Sequence, residues 1–194
     1  MSLTPKQRRL RAEIEEISSI IGMNFSDIEN YPPEARTPRL EIARNQLVRG
    51  EIIMGYTLMD EYLSIIIANY YFAETPLRGR KNFPWRSKKF RLFCHHVLDG
   101  LYLLPKLALV REIKEVPKEI RDTLKQINAL RNAIAHSLFP ENRRQYKVEK
   151  KVLYQRLNIF TPEGIEAFKD DVRAAQAYFM ARAFGTSGTQ KRSS

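Results

Sequence analysis

Apolar residues recur at steps of three and four along much of this sequence, and that spacing forms one face of an α-helix. The clearest example lies between Pro117 and Pro140. Its apolar face consists of Ile120, Leu124, Ile127, Leu130, Ile134 and Leu138. Only eight of the 194 residues are glycine and 43% are hydrophobic, so long helices can form and can bury a substantial core. The pattern predicts an all-α fold.

Local start and stop signals divide the chain into segments. Thr4-Pro5 places a capping residue before a proline, which is a frequent helix start, and Gly22 supplies an end. Three prolines interrupt the next stretch. We therefore expect an N-terminal helix over 1–22, a loop over 23–37, a helical domain over 38–184 and a disordered tail over 185–194.

The later helices are marked by the same signals. Starts are predicted at Ser87, Pro117 and Thr161-Pro162, and a kink or restart at Pro105, near the end of the third helix. The last helix has an apolar face made of Ile165, Phe168, Val172, Ala175 and Phe179. Residues 145–160 are rich in β-prone side chains, so a short strand or hairpin is expected between the fourth and the last helix.

The long helix expected from residue 38 to about 72 contains a stretch of membrane-spanning length, Ile52–Phe72. Asp60 and Glu61 lie at its centre, where each acid would cost about 2.5–3.5 kcal/mol in a bilayer. The stretch is therefore interpreted as a buried helix of a soluble protein, without a membrane partner. The charged N-terminus does not resemble a secretory signal, and a cytoplasmic location is expected.

The charge balance favours a polyanionic partner. Thirty-three Lys and Arg residues against 22 Asp and Glu give a net charge of +11. The single cysteine excludes an internal disulfide framework and a Cys-rich zinc module. Cys94, His95 and His96 are consecutive, so their side chains point in three directions along a helix. We expect no metal site and no cofactor.

One short segment carries residues suited to RNA chemistry, namely Arg131-Asn132-Ala133-Ile134-Ala135-His136. Histidine can accept or donate a proton near neutral pH, and arginine holds phosphate oxygens with paired donors. Asn132 lies four residues before His136, on the same helix face, where it could orient the imidazole or donate to phosphate.

This segment resembles the motif of the HEPN superfamily (higher eukaryotes and prokaryotes nucleotide-binding), in which an Arg and a His are separated by four to six residues on a late helix. The resemblance extends over residues 38–184 and implies an up-and-down helical bundle. It also implies a metal-independent endoribonuclease of toxin or antiviral type, with Arg131, Asn132 and His136 in the catalytic site. RNA, a second copy of the chain, and an antitoxin or effector protein are the implied partners.

The spacing of the motif bears on the oligomeric state. Five residues at 3.6 per turn separate Arg131 and His136 by about 140° around a straight helix. Either the helix end distorts around His136, or two chains combine their residues in one cleft, as in the HEPN dimer. Arg131 also lies close to the apolar face of its helix, so we expect Asp60 or Glu61 to pair with it and orient it. A structural salt bridge is the other interpretation of such a pair.

A basic run with interleaved aromatic residues precedes the motif. Cations there can bind phosphate and aromatic rings can stack on unpaired bases. The RNA-binding residues predicted from it are Arg78, Arg80, Lys81, Trp85, Arg86, Lys88, Lys89 and Arg91, joined by Arg143 and Arg144 of a second basic cluster. The alternative is a solvated loop whose aromatic residues pack inward.

Two other functions fit the same sequence. A HEPN-like module without catalysis would dimerise and bind nucleic acid or protein. A DNA-binding regulator would suit the charge, although no pair of helices with the tight turn of a helix-turn-helix motif is evident.

Overall fold

The structure is a computed structural model that describes residue 5 and residues 28–72, 87–135 and 152–184. Its helices are α1 (Pro33–Tyr71), α2 (Lys88–Phe93), α3 (Leu103–Ile113), α4 (Lys118–Ala135) and α5 (Pro162–Phe184), with strands β1 (Leu153–Tyr154) and β2 (Leu157–Asn158) and a 3-10 turn (Ile28–Asn30). The predicted all-α helical bundle is confirmed. Apart from Pro5, the expected N-terminal helix over 1–22 lies outside the described residues, as does the tail over 185–194.

The chain divides into two compact units, residues 1–47 and 48–194. In the first unit α1 begins at Pro33, five residues before the predicted start at Pro38. Pro33 takes the first helical position, where a missing N–H costs nothing. Residues 33–37 of the expected loop over 23–37 are therefore helical, and residues 23–27 lie outside the described residues. The carbonyl of Tyr31 accepts a 2.8 Å hydrogen bond from Arg36 Nε, and the Arg39 guanidinium lies 4.0 Å from the Tyr31 ring centroid.

The contacts of α1 in the second unit define the directions of the bundle. Its contacts with α5 advance together along both helices: Gly55 faces Phe168, Tyr62 Oη accepts from Gln176, and Asn69 donates to the Ala183 carbonyl at 2.7 Å. These two helices therefore run parallel. The contacts of α1 with α4 advance in opposite directions, so α4 runs antiparallel to α1.

The predicted apolar faces of α4 and α5 form the core with α1. On α4, Leu124, Ile127, Leu130 and Ile134 are buried and Ile120 is half-buried; on α5, Phe168, Val172, Ala175 and Phe179 are buried and Ile165 packs against them. Leu138 of the predicted face lies outside the described residues. Helical spacing thus identified most of the buried side chains of both helices; Thr123 and Ala183 are also buried.

The third predicted helix is divided into α2 and α3. Ser87 caps α2 as expected, accepting a 3.1 Å bond from Phe90 N. A wide turn of π type, Cys94–Leu98, then ends this helix before Gly100 instead of at Leu104. Pro105 is the third residue of α3, where its missing N–H is tolerated, so the predicted restart near Pro105 is confirmed.

A short hairpin lies in the described part of the predicted β-prone segment, whose residues 145–151 are outside the described residues. Strands β1 and β2 are antiparallel, and the turn residues Gln155 and Arg156 have φ of 48° and 70°. Both residues lie in the left-handed region that such a turn requires, although neither is glycine or asparagine. Thr161 then caps α5, its hydroxyl accepting from Gly164 N at 3.2 Å.

Among the helices of the described residues, none has the length and apolar character that crossing a membrane requires. This agrees with the interpretation of Ile52–Phe72 as part of a core helix, because Ile52, Met59, Leu63 and Ile67 are fully buried against the bundle.

Candidate nucleic-acid interface

The first two residues of the Arg131–His136 segment line an open cleft of about 370 Å³. Three helices form its walls. The lining residues are Tyr56 of α1, Tyr102, Leu104 and Pro105 at the amino end of α3, and Asn128, Arg131 and Asn132 of α4. The cleft therefore combines one cation, two amides and two phenol groups with a helix amino terminus.

Arg131 lies at the edge of the apolar face of α4 and is half-exposed. Its guanidinium carbon lies 5.4 Å from the centroid of the Tyr56 ring, and its Nη1 donates to Asn132 Oδ1 at 3.2 Å. A cation over an aromatic face is attracted by the ring, so Tyr56 holds the guanidinium without neutralising its charge. Arg131 thus keeps a full positive charge beside the cleft.

The amino end of α3 forms the opposite wall. Tyr56 Oη accepts a 3.4 Å bond from Leu103 N, so one phenol contacts both the Arg131 side chain and the first turn of α3. The N–H groups of a first helical turn have no partner within the helix and carry partial positive charge. Leu104 N belongs to that turn, whereas Pro105 has no N–H. This wall and Arg131 both favour an anion in the cleft.

Arg49 ties the carboxyl end of α4 to α1. Its Nη2 donates to the backbone carbonyl of Ile134, inside the Arg131–His136 segment. A cation near the last carbonyls of a helix interacts favourably with the helix dipole. The positions of Arg131 and Asn132 therefore depend on Arg49 as well as on Tyr56.

The described residues include Arg131, Asp60 and Glu61. Among them, the expected ion pair between Arg131 and an acid of α1 is not formed. Asp60 Oδ2 lies 2.6 Å from Lys106 Nζ instead, and the Lys106 side chain is only 4% exposed. Glu61 is exposed. The physical reason is register: Arg131 lies level with Tyr56, one turn before Asp60, and Lys106 of α3 reaches Asp60 from the core.

His136 and several predicted RNA-binding residues lie outside the described residues. These are Arg78, Arg80, Lys81, Trp85, Arg86, Arg143 and Arg144. Of the predicted catalytic residues, Arg131 and Asn132 therefore line the cleft, and the place of His136 stays a prediction.

The remaining cations of the basic run lie on α2, where Lys88, Lys89 and Arg91 are exposed. Phe90 between them is buried and its ring centroid lies 5.5 Å from that of Phe72, so this aromatic residue packs inward. Phe72 is sixteen residues beyond Tyr56, roughly 24 Å along α1. The α2 cations are thus not part of the cleft, and an RNA chain touching both would have to span several nucleotides.

A second cavity, of about 290 Å³, lies between α1, α2 and α3. Asp60, Glu61, Cys94, Asp99 and Lys106 are among its lining residues. Burial raises the pKa of the Cys94 thiol, and the charges of Asp99 and Glu61 raise it further. This thiol is therefore protonated at neutral pH and is a poor nucleophile.

Four residues of this site were missed in the sequence: Arg49, which joins α4 to α1, and the cleft residues Tyr56, Tyr102 and Asn128. Arg49 and Tyr56 are seven residues apart, which is two helical turns and hence one face. Asn128 similarly precedes Asn132 by four residues on α4. Those spacings could have identified them, but Tyr102 had no such signal, because its position depends on where α3 begins.

Comparison of the chain with protein-family models, curated proteins and solved structures gave no match.

Proposed function

We propose that this protein is a HEPN-like, metal-independent endoribonuclease that acts as a homodimer, in the manner of a toxin or antiviral effector. Arg131 binds the scissile phosphate, Asn132 orients the reacting groups, and His136 transfers the proton. The observation that carries the proposal is that Arg131 and Asn132 open together into the cleft at the amino end of α3.

The groups around this cleft suit a phosphodiester. Arg131 remains charged under all physiological conditions, and a guanidinium can present two donors to phosphate oxygens. Asn132 Oδ1 accepts from Arg131, so the amide nitrogen at the other end of the group is the donor directed away from it. A helix amino terminus adds to the attraction for anions.

The reaction needs no metal if a histidine handles the proton. An imidazole removes the proton from a 2′-hydroxyl, and the oxygen attacks the adjacent phosphorus. The bond from phosphorus to the 5′-oxygen breaks, and that oxygen takes a proton from an imidazolium. The products are a 2′,3′-cyclic phosphate and a 5′-hydroxyl, with Arg131 stabilising the added charge on phosphorus.

A dimer would supply both proton-transfer groups. The two steps call for one neutral imidazole and one imidazolium, and each chain has a single histidine in the motif. The angle of about 140° between Arg131 and His136 on a straight helix also favours a composite site, in which each phosphate meets residues of both chains.

The test is hydrolysis of mixed RNA in the presence of a metal chelator. We expect the wild-type protein to release fragments ending in 2′,3′-cyclic phosphate, identified by mass spectrometry. His136→Ala should lower the rate at least about 100-fold, the low end of a general acid–base contribution. His96→Ala is the matched control, because His96 is exposed on the π turn, and it should cleave at the wild-type rate.

Equal cleavage by wild type and His136→Ala would overturn the enzymatic proposal, as would the absence of cleavage by folded wild type on varied RNAs. The second candidate function is a non-catalytic, nucleic-acid-binding dimerisation module. The residues that line the cleft in the described part of the chain favour this alternative, because phenols, amides and a guanidinium can bind a ligand without catalysing a reaction. RNA binding without turnover would identify this alternative.

A further inference from the structure

We propose that Tyr102 is a stacking platform for an unpaired base of the RNA strand whose phosphate is bound by Arg131. This inference rests on the proposed RNA-binding function and extends it, because it assigns single-stranded RNA or a loop as the substrate class. Tyr102 is then a specificity-determining residue of the cleft.

The exposure of Tyr102 is the first observation. This residue is 72% exposed, more than any other large apolar or aromatic residue in the described part of the chain. It nevertheless lines the same cleft as Arg131 and Asn132. An exposed aromatic ring beside a cationic cleft presents a free face on which a base can stack.

Its position in the helix is the second observation. Tyr102 is the N-cap residue of α3, yet its side chain makes no capping hydrogen bond. Ser, Thr, Asp and Asn are preferred at this position because their oxygens accept from the first helical turn. The tyrosine side chain therefore contributes no capping bond to the helix start. A residue that departs from a local rule and faces a cleft is a candidate for function.

The backbone beneath the ring is fixed. Tyr102 has an extended conformation, with φ of −83° and ψ of 170°, and its carbonyl accepts from Lys106 N at 3.2 Å. Lys106 is in turn bound to Asp60 of α1. The ring is thus attached to a rigid element, so little conformational entropy is lost when a base stacks on it.

The cleft has the composition of a site for one nucleotide. Its volume of about 370 Å³ lies within the range of small-molecule sites. Arg131 supplies the phosphate contact, Tyr102 the stacking surface, and the amides of Asn128 and Asn132 can donate to and accept from a base edge. Stacking needs a base with a free face, which duplex RNA does not offer along its length.

The test uses a single-stranded oligonucleotide of 2′-O-methyl RNA, which resists cleavage and carries the fluorescent base 2-aminopurine. Binding to wild type should quench the fluorescence, because the base stacks on an aromatic ring. Tyr102→Ala should abolish the quenching and weaken binding roughly 5- to 150-fold, the range for one base on one aromatic side chain. Tyr102→Phe keeps the ring and should behave as wild type.

Tyr70→Ala is the matched control, since Tyr70 is an exposed tyrosine further along α1. It should bind and quench as wild type does. If Tyr102→Ala also binds normally while Arg131→Ala binds weakly, the stacking role is wrong and the phosphate site stands. If stacking is observed but RNA is never cleaved, the enzymatic proposal alone fails. A wild-type protein that binds no single-stranded RNA overturns both.

Discussion

At Gly164 the space for a side chain is already occupied by the backbone of β2. A Cβ atom there would lie 2.0 Å from the Asn158 carbonyl oxygen and 2.7 Å from its carbonyl carbon. Neither backbone atom can move without disturbing the hairpin. At Gly50, by contrast, a Cβ atom would meet nothing within 4 Å. The same substitution by alanine can therefore be compared at a crowded and at an open position.

We expect Gly164→Ala to lower the free energy of unfolding by about 1–3 kcal/mol, the usual cost of overpacking, or by more. Gly50→Ala should raise it by about 0.5–1 kcal/mol, because alanine restricts the unfolded chain and favours the interior of a helix. Urea unfolding followed by circular dichroism measures both. A Gly164→Ala protein as stable as wild type would contradict the close approach of α5 to β2.

The sequence predicted the structural roles of some residues and not those of others. Ser87 and Thr161 were identified as caps because a cap depends only on its own helix. The partners of Asp60 and Arg131 were not, because each belongs to a different helix. Which cation reaches an acid on α1 depends on the register between α1, α3 and α4, and that register is a property of the whole core.

On the scale of elements, the hairpin is joined to α5 by one carboxylate. Asp171 Oδ2 accepts from Tyr154 Oη at 2.6 Å and also from Gln155 Nε2. Tyr154 is fully buried and packs edge-on against Phe168. Burial raises the pKa of the Tyr154 phenol above its ordinary value, and the hydrogen bond to Asp171 raises it further.

This tie predicts a pH dependence of stability. The raised pKa favours the neutral phenol in the folded state. The contribution of Tyr154 to the free energy of unfolding is therefore complete below the unfolded pKa of about 10 and falls as the pH rises above it. Tyr154→Phe should cost about 1.5–3 kcal/mol at pH 7, the value of a hydrogen bond to a charged group. Its free energy of unfolding should then decline less than that of wild type between about pH 9 and 11.

Tyr70→Phe serves as the control for this experiment, since Tyr70 is exposed and should give the wild-type pH profile. Thermal melts across the pH series suffice. An unchanged slope in Tyr154→Phe would mean that its phenol is not held neutral by the fold.

Elements were predicted well where their signals were local. The apolar faces of α4 and α5, the hairpin and the start of α5 all follow from spacing, β-prone residues and a Thr-Pro pair. The predicted start of α1 was wrong by five residues. Pro33 and Pro38 both suit the first helical position, and Pro38 is accommodated inside the long helix. The cleft could not be predicted, since three helices must be placed before it exists.

On the scale of the whole molecule, the net charge of +11 favours a polyanionic partner, and RNA is the one that we propose. The α2 cations and the cleft are separated along α1, so they would contact different phosphates of one strand. Each phosphate neutralised by the protein releases counterions and adds to the salt dependence of binding.

We therefore expect Lys88→Gln combined with Arg91→Gln to make the RNA-binding constant less dependent on salt. The slope of its logarithm against the logarithm of the salt concentration should fall. The reduction should be about 0.7 for each phosphate of single-stranded RNA that the variant no longer neutralises. The charge-matched control is Lys125→Gln combined with Arg173→Gln. Both residues already pair with carboxylates, Asp122 at 3.1 Å and Asp170 at 3.0 Å, so their replacement should leave the slope unchanged. Equal slopes for the two double variants would exclude α2 from the RNA-binding surface.

Lys106 is buried on the inner side of α3, within four residues of Tyr102 and next to Pro105. Its bond to Asp60 joins α3 to α1. The backbone that carries Tyr102 is consequently supported by a pair of charges that do not line the cleft. Replacing either residue alone would leave the other charge without its partner inside the protein, so the two positions are energetically coupled.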